Sequence, residues 1–210
     1  ILSLPKGTEH FVSDLHGAST EFIHMIKNAS GVIRRKVDDI YGESMPESEK
    51  RALCALIYYP DERLEMERAA LNADELVEFY KCRIHQIVDV ARAVTVKYTR
   101  SKVRRLLPKN YAYIIEELLH ESTTEHDRPN YYNAIIDAII ETNRAEQLII
   151  AICYLIHWLA IDKLHIVGDI FDRGPGAEKI MEVLSTYHNF DIQWGNHDIR
   201  SEEHTSELQS

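Results

Sequence analysis

The chain has 210 residues, of which 45% are hydrophobic and 28% are charged, and its formal net charge is −10 at pH 7. This composition is typical of a globular protein, and the negative charge argues against a general nucleic-acid binder, because phosphate backbones are held mainly by Lys and Arg. The three cysteines, Cys54, Cys82 and Cys153, lie far apart, which favours free thiols in a reducing cytoplasm over disulfides.

The chain begins with a predicted strand, turn and helix. His10–Ser13 is expected to form a short strand, and Asp14–Gly17 is expected to form the turn that leaves it. A hydroxyl residue can then cap a helix that ends at Gly31, because glycine often follows the last helical residue. We therefore assign residues 1–30 to the first part of an α/β core.

Residues 31–144 predict a series of helices without a convincing strand. Ser44 and Asn72 are each followed three residues later by Glu, which is the spacing of a capping box. The longest predicted helix begins after Asn72, has apolar residues at intervals of three and four, and ends near Pro108. Two further helices are expected before residue 144. We interpret residues 31–144 as an all-helical insert.

Residues 145–199 return to an α/β pattern. The apolar stretch Leu148–Ile161 is shorter than the roughly 18 residues that a membrane span needs, so we interpret it as a buried helix. Strands are predicted at Leu164–Val167 and Phe190–Trp194, with a helix between them, and such short crossovers favour parallel pairing. We assign residues 145–199 to the second part of the core. Residues 200–210 have no apolar periodicity, and we expect a foreign or disordered tail.

Polar residues suited to metal binding follow each of the three predicted strands. Asp14 and His16 follow the first strand, Asp169 follows the second, and Asn196 follows the third. Parallel pairing would gather these side chains at one edge of a sheet, where ligands bind in α/β proteins. Carboxylate and amide oxygens with an imidazole nitrogen fit manganese, iron or zinc. We therefore expect a site for two divalent cations, with Asp169 as the bridging ligand.

Three further residues lie beside the predicted metal ligands. Arg173 can donate to phosphate oxygens in a fork geometry, and His197 could protonate a leaving alkoxide while Asp172 fixes its tautomer. Two cations would lower the pKa of a shared water and neutralise phosphate oxygens. Each motif alone could be a helix cap, a turn or a plain loop. The joint pattern at three strand ends favours hydrolysis of a phosphate monoester.

The same residues carry a family resemblance. Asp14–His16, Gly168–Gly174 and Gly195–Asp198 resemble the signature blocks of the calcineurin-like metallophosphoesterases. More narrowly, Lys6–Gly17 resembles the start of class III (Firmicutes-type) fructose-1,6-bisphosphatases. So do two segments of the insert, Gly31–Lys36 and Leu56–Pro60.

The resemblance implies an α/β fold, in which a metallophosphoesterase-type sheet core carries a large helical insert between its first and second metal motifs. It also implies a cytoplasmic gluconeogenic enzyme that favours manganese and converts fructose 1,6-bisphosphate to fructose 6-phosphate. The expected partner is a sugar bisphosphate, with no nucleic acid and no membrane, and a homo-oligomer is compatible with the resemblance.

The resemblance further implies histidine ligands beyond the Gly-Asn-His block, where this chain has only His204. We therefore expect a fragment that has negligible phosphatase activity alone. Two alternatives stay open. One is a protein serine/threonine phosphatase, which shares the motifs, although the size of the insert before Gly168 argues against it. The other is a non-catalytic helical interaction module on an incomplete phosphatase core.

Overall fold

The structure, a computed structural model, describes residues 7–120 and 128–199. The predicted tail, residues 200–210, therefore lies outside the described residues. In chain order the elements are β1 (Glu9–Val12), α1 (Ser19–Asn28), a 3₁₀ turn (Ala29–Gly31), α2 (Val32–Tyr41), α3 (Glu47–Tyr58), α4 (Pro60–Ala70), α5 (Ala73–Thr95), α6 (Arg100–Leu106), α7 (Ala112–His120), α8 (Arg128–Glu141), α9 (Ala145–Ala160), β2 (Lys163–Val167), α10 (Ala177–Thr186) and β3 (Phe190–Gln193).

The described residues divide into two compact units. The sheet unit joins residues 7–30 to residues 161–199, and the helical unit contains residues 31–120 and 128–160. The predicted α/β class is confirmed, since the chain combines many helices with a parallel sheet. The helical unit ends at residue 160, whereas the sequence analysis places the end of the helical insert at residue 144.

The sheet unit is built on three parallel strands in the order β1-β2-β3. His10 lies opposite Leu164 in the first pair of strands, and Leu164 lies opposite Phe190 in the second. The predicted parallel pairing is therefore confirmed. Because all three strands run in the same direction, the residues that follow them emerge at one edge of the sheet.

Helices α1 and α10 supply the apolar side chains that cover one face of the sheet. Phe22 of α1 and Leu184 of α10 belong to the same buried cluster as Leu164 and Ile166 of β2. Ile170, in the loop after β2, is also part of this cluster and has no exposed surface. The core of the unit thus reaches from the sheet into the loop that carries the predicted bridging ligand.

The other face of the sheet carries a charged network centred on His165 of β2. Its Nδ1 atom lies 2.8 Å from Asp191 of β3, and its Nε2 atom lies 3.3 Å from Glu9 of β1. The imidazole stacks on the ring of Phe11, with ring centroids 4.3 Å apart. One side chain of the central strand therefore contacts both neighbouring strands.

The helical unit packs around α9. Leu148, Ile152, Leu155 and Ile156 of this helix have no exposed surface, and α9 contacts α3, α4 and α5. The predicted buried helix is confirmed. The structure groups α9 with the helical unit because its apolar side chains pack among these helices.

The longest helix, α5, is shorter than the sequence pattern predicts. It begins after Asn72, whose side chain accepts hydrogen bonds from the backbone N–H groups of Asp74 and Glu75, as the capping-box spacing predicts. It ends at Thr95 rather than near Pro108, because the Thr99 side chain caps a separate helix, α6. In residues 7–120 and 128–199, no helix combines the length and apolar character needed to cross a membrane.

Candidate metal centre

The loops that follow β1 and β2 contain strained backbone. Four non-glycine residues in these loops have φ in the left-handed region: Asp14 at 58°, His16 at 45°, Asp169 at 59° and Arg173 at 70°. Side chains disfavour this region, and such strain persists only where the surrounding structure imposes it. All four residues were predicted from the sequence to belong to the functional site.

Backbone hydrogen bonds hold these two loops together beyond the ends of their strands. The N–H of His16 donates to the carbonyl of Asp169 at 2.7 Å, and the N–H of Gly17 donates to the carbonyl of Ile170 at 2.9 Å. The N–H of Gly176, before α10, donates to the carbonyl of Gly17 at 3.1 Å. The positions of His16 and Asp169 are therefore fixed relative to each other by main-chain contacts.

The loops after β2 and β3 approach each other at two glycines. A Cβ atom built on Gly168 would lie 2.4 Å from Cα of Gly195, and φ at Gly168 is +85°. A Cβ atom built on Gly195 would lie 2.1 Å from Oδ1 of Asp169. Only glycine fits either position without displacing the loop that carries Asp169.

Asp14, His16 and Asp169 form a possible metal-binding triad. Each offers one ligand atom, and these atoms lie within 4.8 Å of one another. The Nε2 atom of His16 lies 3.7 Å from Oδ1 of Asp14. Two carboxylates and an imidazole fit a divalent cation of the manganese, iron or zinc type.

Asp172 contacts two histidines with its two oxygens. Oδ1 pairs with Nδ1 of His16, and Oδ2 lies 3.1 Å from Nδ1 of His197. Partial burial alone would raise the pKa of Asp172, but its contacts with His16, His197 and Arg173 hold that pKa below its ordinary value. Nδ1 of His16 is thus engaged by Asp172 while its Nε2 atom lies 3.7 Å from Asp14, an arrangement that is usual for metal-binding histidines.

Arg173 and His197 complete the group that the sequence predicts around the metal ligands. The Nε atom of Arg173 lies 3.1 Å from Oδ2 of Asp172, and the side chain is 65% exposed. An Nη atom of Arg173 lies 3.5 Å from Nε2 of His197. An exposed guanidinium beside the imidazole of His197 can bind an anion from solvent.

The loop after β3 also contacts the predicted bridging ligand. The backbone N–H of His197 donates to Oδ1 of Asp169 at 3.1 Å. Asn196 precedes it at an exposed position in the helical turn 196–199. The structure thus brings Asp14, His16, Asp169, Asp172, Arg173 and His197 to one edge of the sheet. Their individual roles, and Asn196 as a metal ligand, stay predictions.

Sequence reasoning assigned no role to Asp198, which is only 2% exposed. Its carboxylate accepts hydrogen bonds from four backbone N–H groups, those of Asp169, Ile170, Phe171 and Gly195. Burial alone would raise the pKa of Asp198, but these four donors hold that pKa below its ordinary value. The available sequence signal for this residue is an acidic side chain at the end of the Gly-Asn-His-Asp block. Its partners are backbone N–H groups, which a side-chain motif does not reveal.

Comparison with known proteins identifies a family across the whole described chain. A family profile described as Firmicute fructose-1,6-bisphosphatase matches residues 1–201, which include every residue of the candidate site. A protein named fructose-1,6-bisphosphatase class 3 from Parabacteroides distasonis is 55% identical over 199 residues. Proteins of the same class from Bacteroides fragilis and Clostridium beijerinckii are 56% and 54% identical over 199 and 200 residues.

Each of these alignments covers 95% of this chain and 30% of the relative. The chain therefore spans about 30% of the length of the curated relatives it matches. No solved structure shows a significant match.

Proposed function

Because the chain belongs to the Firmicute fructose-1,6-bisphosphatase family, we propose that it forms the metal-binding part of an enzyme that hydrolyses fructose 1,6-bisphosphate. The products would be fructose 6-phosphate and phosphate, in gluconeogenesis. One observation carries this proposal. The match to the family spans residues 1–201, and the three sequence motifs whose side chains converge at the sheet edge lie within it.

The proposed cofactor is a pair of divalent cations, with Mn²⁺ as the favoured metal. Asp14, His16, Asp169 and Asn196 would hold them, with Asp169 between the two ions. The donor types support this assignment, and so does the orientation of His16 by Asp172. When bound, the cations would lower the pKa of a water molecule and neutralise charge on the phosphate oxygens.

Arg173 and His197 would act directly on the substrate, and Asp172 would act through His197. Arg173 would hold phosphate oxygens with its exposed guanidinium while its Nε atom stays beside Asp172. His197 would give the proton on Nε2 to the leaving sugar oxygen. Oδ2 of Asp172 lies 3.1 Å from Nδ1 of His197 and would stabilise the protonated imidazole before that transfer.

The two units support the expected organisation of a metallophosphoesterase-type core with a helical insert. The sheet unit would be that core, and the insert would include α9 in addition to residues 31–144. The proposed location is the cytoplasm, which the free thiols of Cys54, Cys82 and Cys153 support. A homo-oligomer of the longer protein is compatible with this arrangement.

Two other functions share the motifs and are less well supported. A protein serine/threonine phosphatase is not favoured, because the curated relatives named above are fructose-1,6-bisphosphatases. A non-catalytic helical module would have no need for the strained backbone at Asp14, His16 and Asp169.

The proposal is tested by measuring phosphate release. The protein assayed is a polypeptide that contains this sequence and has the full length of the relatives. Fructose 1,6-bisphosphate and a phosphoserine peptide are compared as substrates with added Mn²⁺, and again after chelation with EDTA. We expect Mn²⁺-dependent release of phosphate from fructose 1,6-bisphosphate and none from the phosphoserine peptide. Preferential hydrolysis of the peptide would instead support the protein phosphatase, and hydrolysis unaffected by EDTA would contradict the metal assignment.

A further inference from the structure

Asp198 is a carboxylate buried among backbone donors. Oδ1 accepts from the N–H groups of Ile170 and Phe171 at 2.8 and 3.1 Å. Oδ2 accepts from those of Asp169 and Gly195 at 2.7 and 3.0 Å. Hydrogen bonds to an ionised carboxylate are about twice as strong as those between neutral groups. This one side chain therefore connects the loop after β3 to the loop after β2.

Three of these donors come from successive residues, Asp169, Ile170 and Phe171. Asp169 has φ of 59°, which places its N–H beside the next two so that all three point to one anion. Successive backbone N–H groups in such a conformation form a concave anion-binding site. Here the anion is supplied by the protein itself. The bond to Asp198 thus compensates for the strained backbone of Asp169.

We propose that Asp198 is a positioning residue that holds Asp169 in the geometry needed for metal binding. The inference rests on the proposed function, in which Asp169 is a ligand of both cations. The loop after β3 holds Asp169 at two points: Asp198 fixes its backbone, and the N–H of His197 donates to its Oδ1 atom at 3.1 Å. So held, Asp169 keeps a carboxylate oxygen within 4.8 Å of the ligand atoms of Asp14 and His16.

Asparagine cannot replace Asp198, although it has the same shape. Each carboxylate oxygen accepts two backbone N–H groups. Whichever way an amide were oriented, its NH₂ group would face two donors and could accept from neither. The substitution Asp198→Asn therefore removes two hydrogen bonds and leaves two N–H groups unpaired in a buried place.

The first test uses the unmodified chain without metal. Phe171 lies outside the helices and strands and its side chain is 41% exposed, so its N–H has protection only if Asp198 accepts from it. We expect hydrogen exchange measured by NMR to show the amides of Ile170 and Phe171 protected as strongly as those of β2. Exchange as fast as in exposed loops would overturn the proposal, whatever the variants do.

The second test is a calorimetric titration of the chain with Mn²⁺ alone. We expect Asp198→Asn to weaken binding about 10–100-fold, the loss that follows when a group orienting a metal ligand is removed. Leu184→Ala is the matched control, because it removes buried apolar side chain from the core of the same unit but none of the hydrogen bonds to Asp198. It should keep wild-type affinity at a comparable loss of stability. Asp198→Glu, which keeps the charge, should bind more tightly than Asp198→Asn.

Wild-type affinity in folded Asp198→Asn, or an equal loss of affinity in Leu184→Ala, would overturn the proposal. Failure of the proposed function has a different signature. A wild-type chain that binds no Mn²⁺ would contradict the metal centre, whereas the hydrogen exchange of Ile170 and Phe171 would still decide whether Asp198 holds the loop.

Discussion

Oδ2 of Asp172 lies 3.1 Å from Nδ1 of His197, and its second oxygen pairs with Nδ1 of His16. One carboxylate therefore orients both a predicted metal ligand and the predicted general acid. The sequence predicts the contact with His197 but not the contact with His16, which is 156 residues away in the chain. In the proposed mechanism, this single side chain would couple metal binding to proton transfer.

The substitution Asp172→Asn should weaken Mn²⁺ binding by about 10–100-fold, because the orientation and tautomer of His16 would no longer be fixed. Titration calorimetry on the chain measures this loss. Asp191→Asn is the matched control. Asp191, like Asp172, contacts a histidine of the sheet unit, since it lies 2.8 Å from His165, but this contact is on the other face of the sheet. Equal affinities in the two variants would contradict the role of Asp172.

Gly168 and Gly31 provide a matched pair of glycines with positive φ, at +85° and +79°. An alanine at either position incurs the backbone strain of the left-handed region, about 1–2 kcal/mol. Only at Gly168 would the new Cβ atom also meet a neighbour, Cα of Gly195 at 2.4 Å. Urea denaturation should therefore show a larger loss of stability for Gly168→Ala than for Gly31→Ala, together with loss of Mn²⁺ binding. Equal losses would show that the two loops can separate.

The capping box of α5 should contribute measurably to stability. We expect Asn72→Ala to lower the free energy of unfolding by about 1 kcal/mol, because the backbone N–H groups of Asp74 and Glu75 would lose their acceptor. Ser44→Ala, the control with the same sequence spacing, should change it by less than about 0.5 kcal/mol. Its hydroxyl donates to the carbonyl of Tyr41 at the end of α2, and no side chain caps the first turn of α3. A larger loss for Ser44→Ala would contradict this comparison.

Asp191 should make stability depend on pH in the acid range. Lys163 at 2.7 Å and His165 at 2.8 Å hold the pKa of Asp191 below its ordinary value of 3.8. A carboxyl whose pKa is lower in the folded state stabilises the fold above the unfolded pKa, and this contribution is lost as the pH falls through the folded pKa. The difference in Tm between wild type and Asp191→Asn should therefore be present at pH 7 and shrink below pH 3.8. A constant difference would contradict the shift.

Much of the fold follows from local patterns. The three strands were predictable because alternating or continuous apolar residues end in glycine or polar turns, and their parallel pairing follows from the crossovers between them. Identical spacing gave different outcomes at Asn72 and Ser44. Pro46, not Ser44, precedes the first turn of α3, and the Glu47 carboxylate pairs with Arg34 at 2.6 Å instead of turning back to the backbone. A capping pattern spans four residues, so it cannot reveal that Arg34, 13 residues away, binds the Glu47 carboxylate instead.

In the candidate site, too, local patterns predict some contacts but not those made by residues distant in the chain. Asp14, His16 and Asp169 could be predicted to converge because each follows a strand of one parallel sheet. The contacts of Asp198 could not, because three of its four partners are main-chain groups of a loop 27 to 29 residues earlier. The sequence also does not indicate that α9 groups with the other helices. Its apolar residues predict burial but do not say against which unit.

The most direct test of the metal centre is a calorimetric titration of wild type and Asp169→Asn with Mn²⁺. Asparagine suits this position because it tolerates the left-handed backbone of Asp169 and keeps an oxygen for the N–H of His197. We expect saturable binding to wild type. The loss in Asp169→Asn should exceed the 10–100-fold typical of residues that only orient a ligand. Wild-type affinity for Mn²⁺ in a folded Asp169→Asn chain would contradict the assignment of Asp169 as a metal ligand.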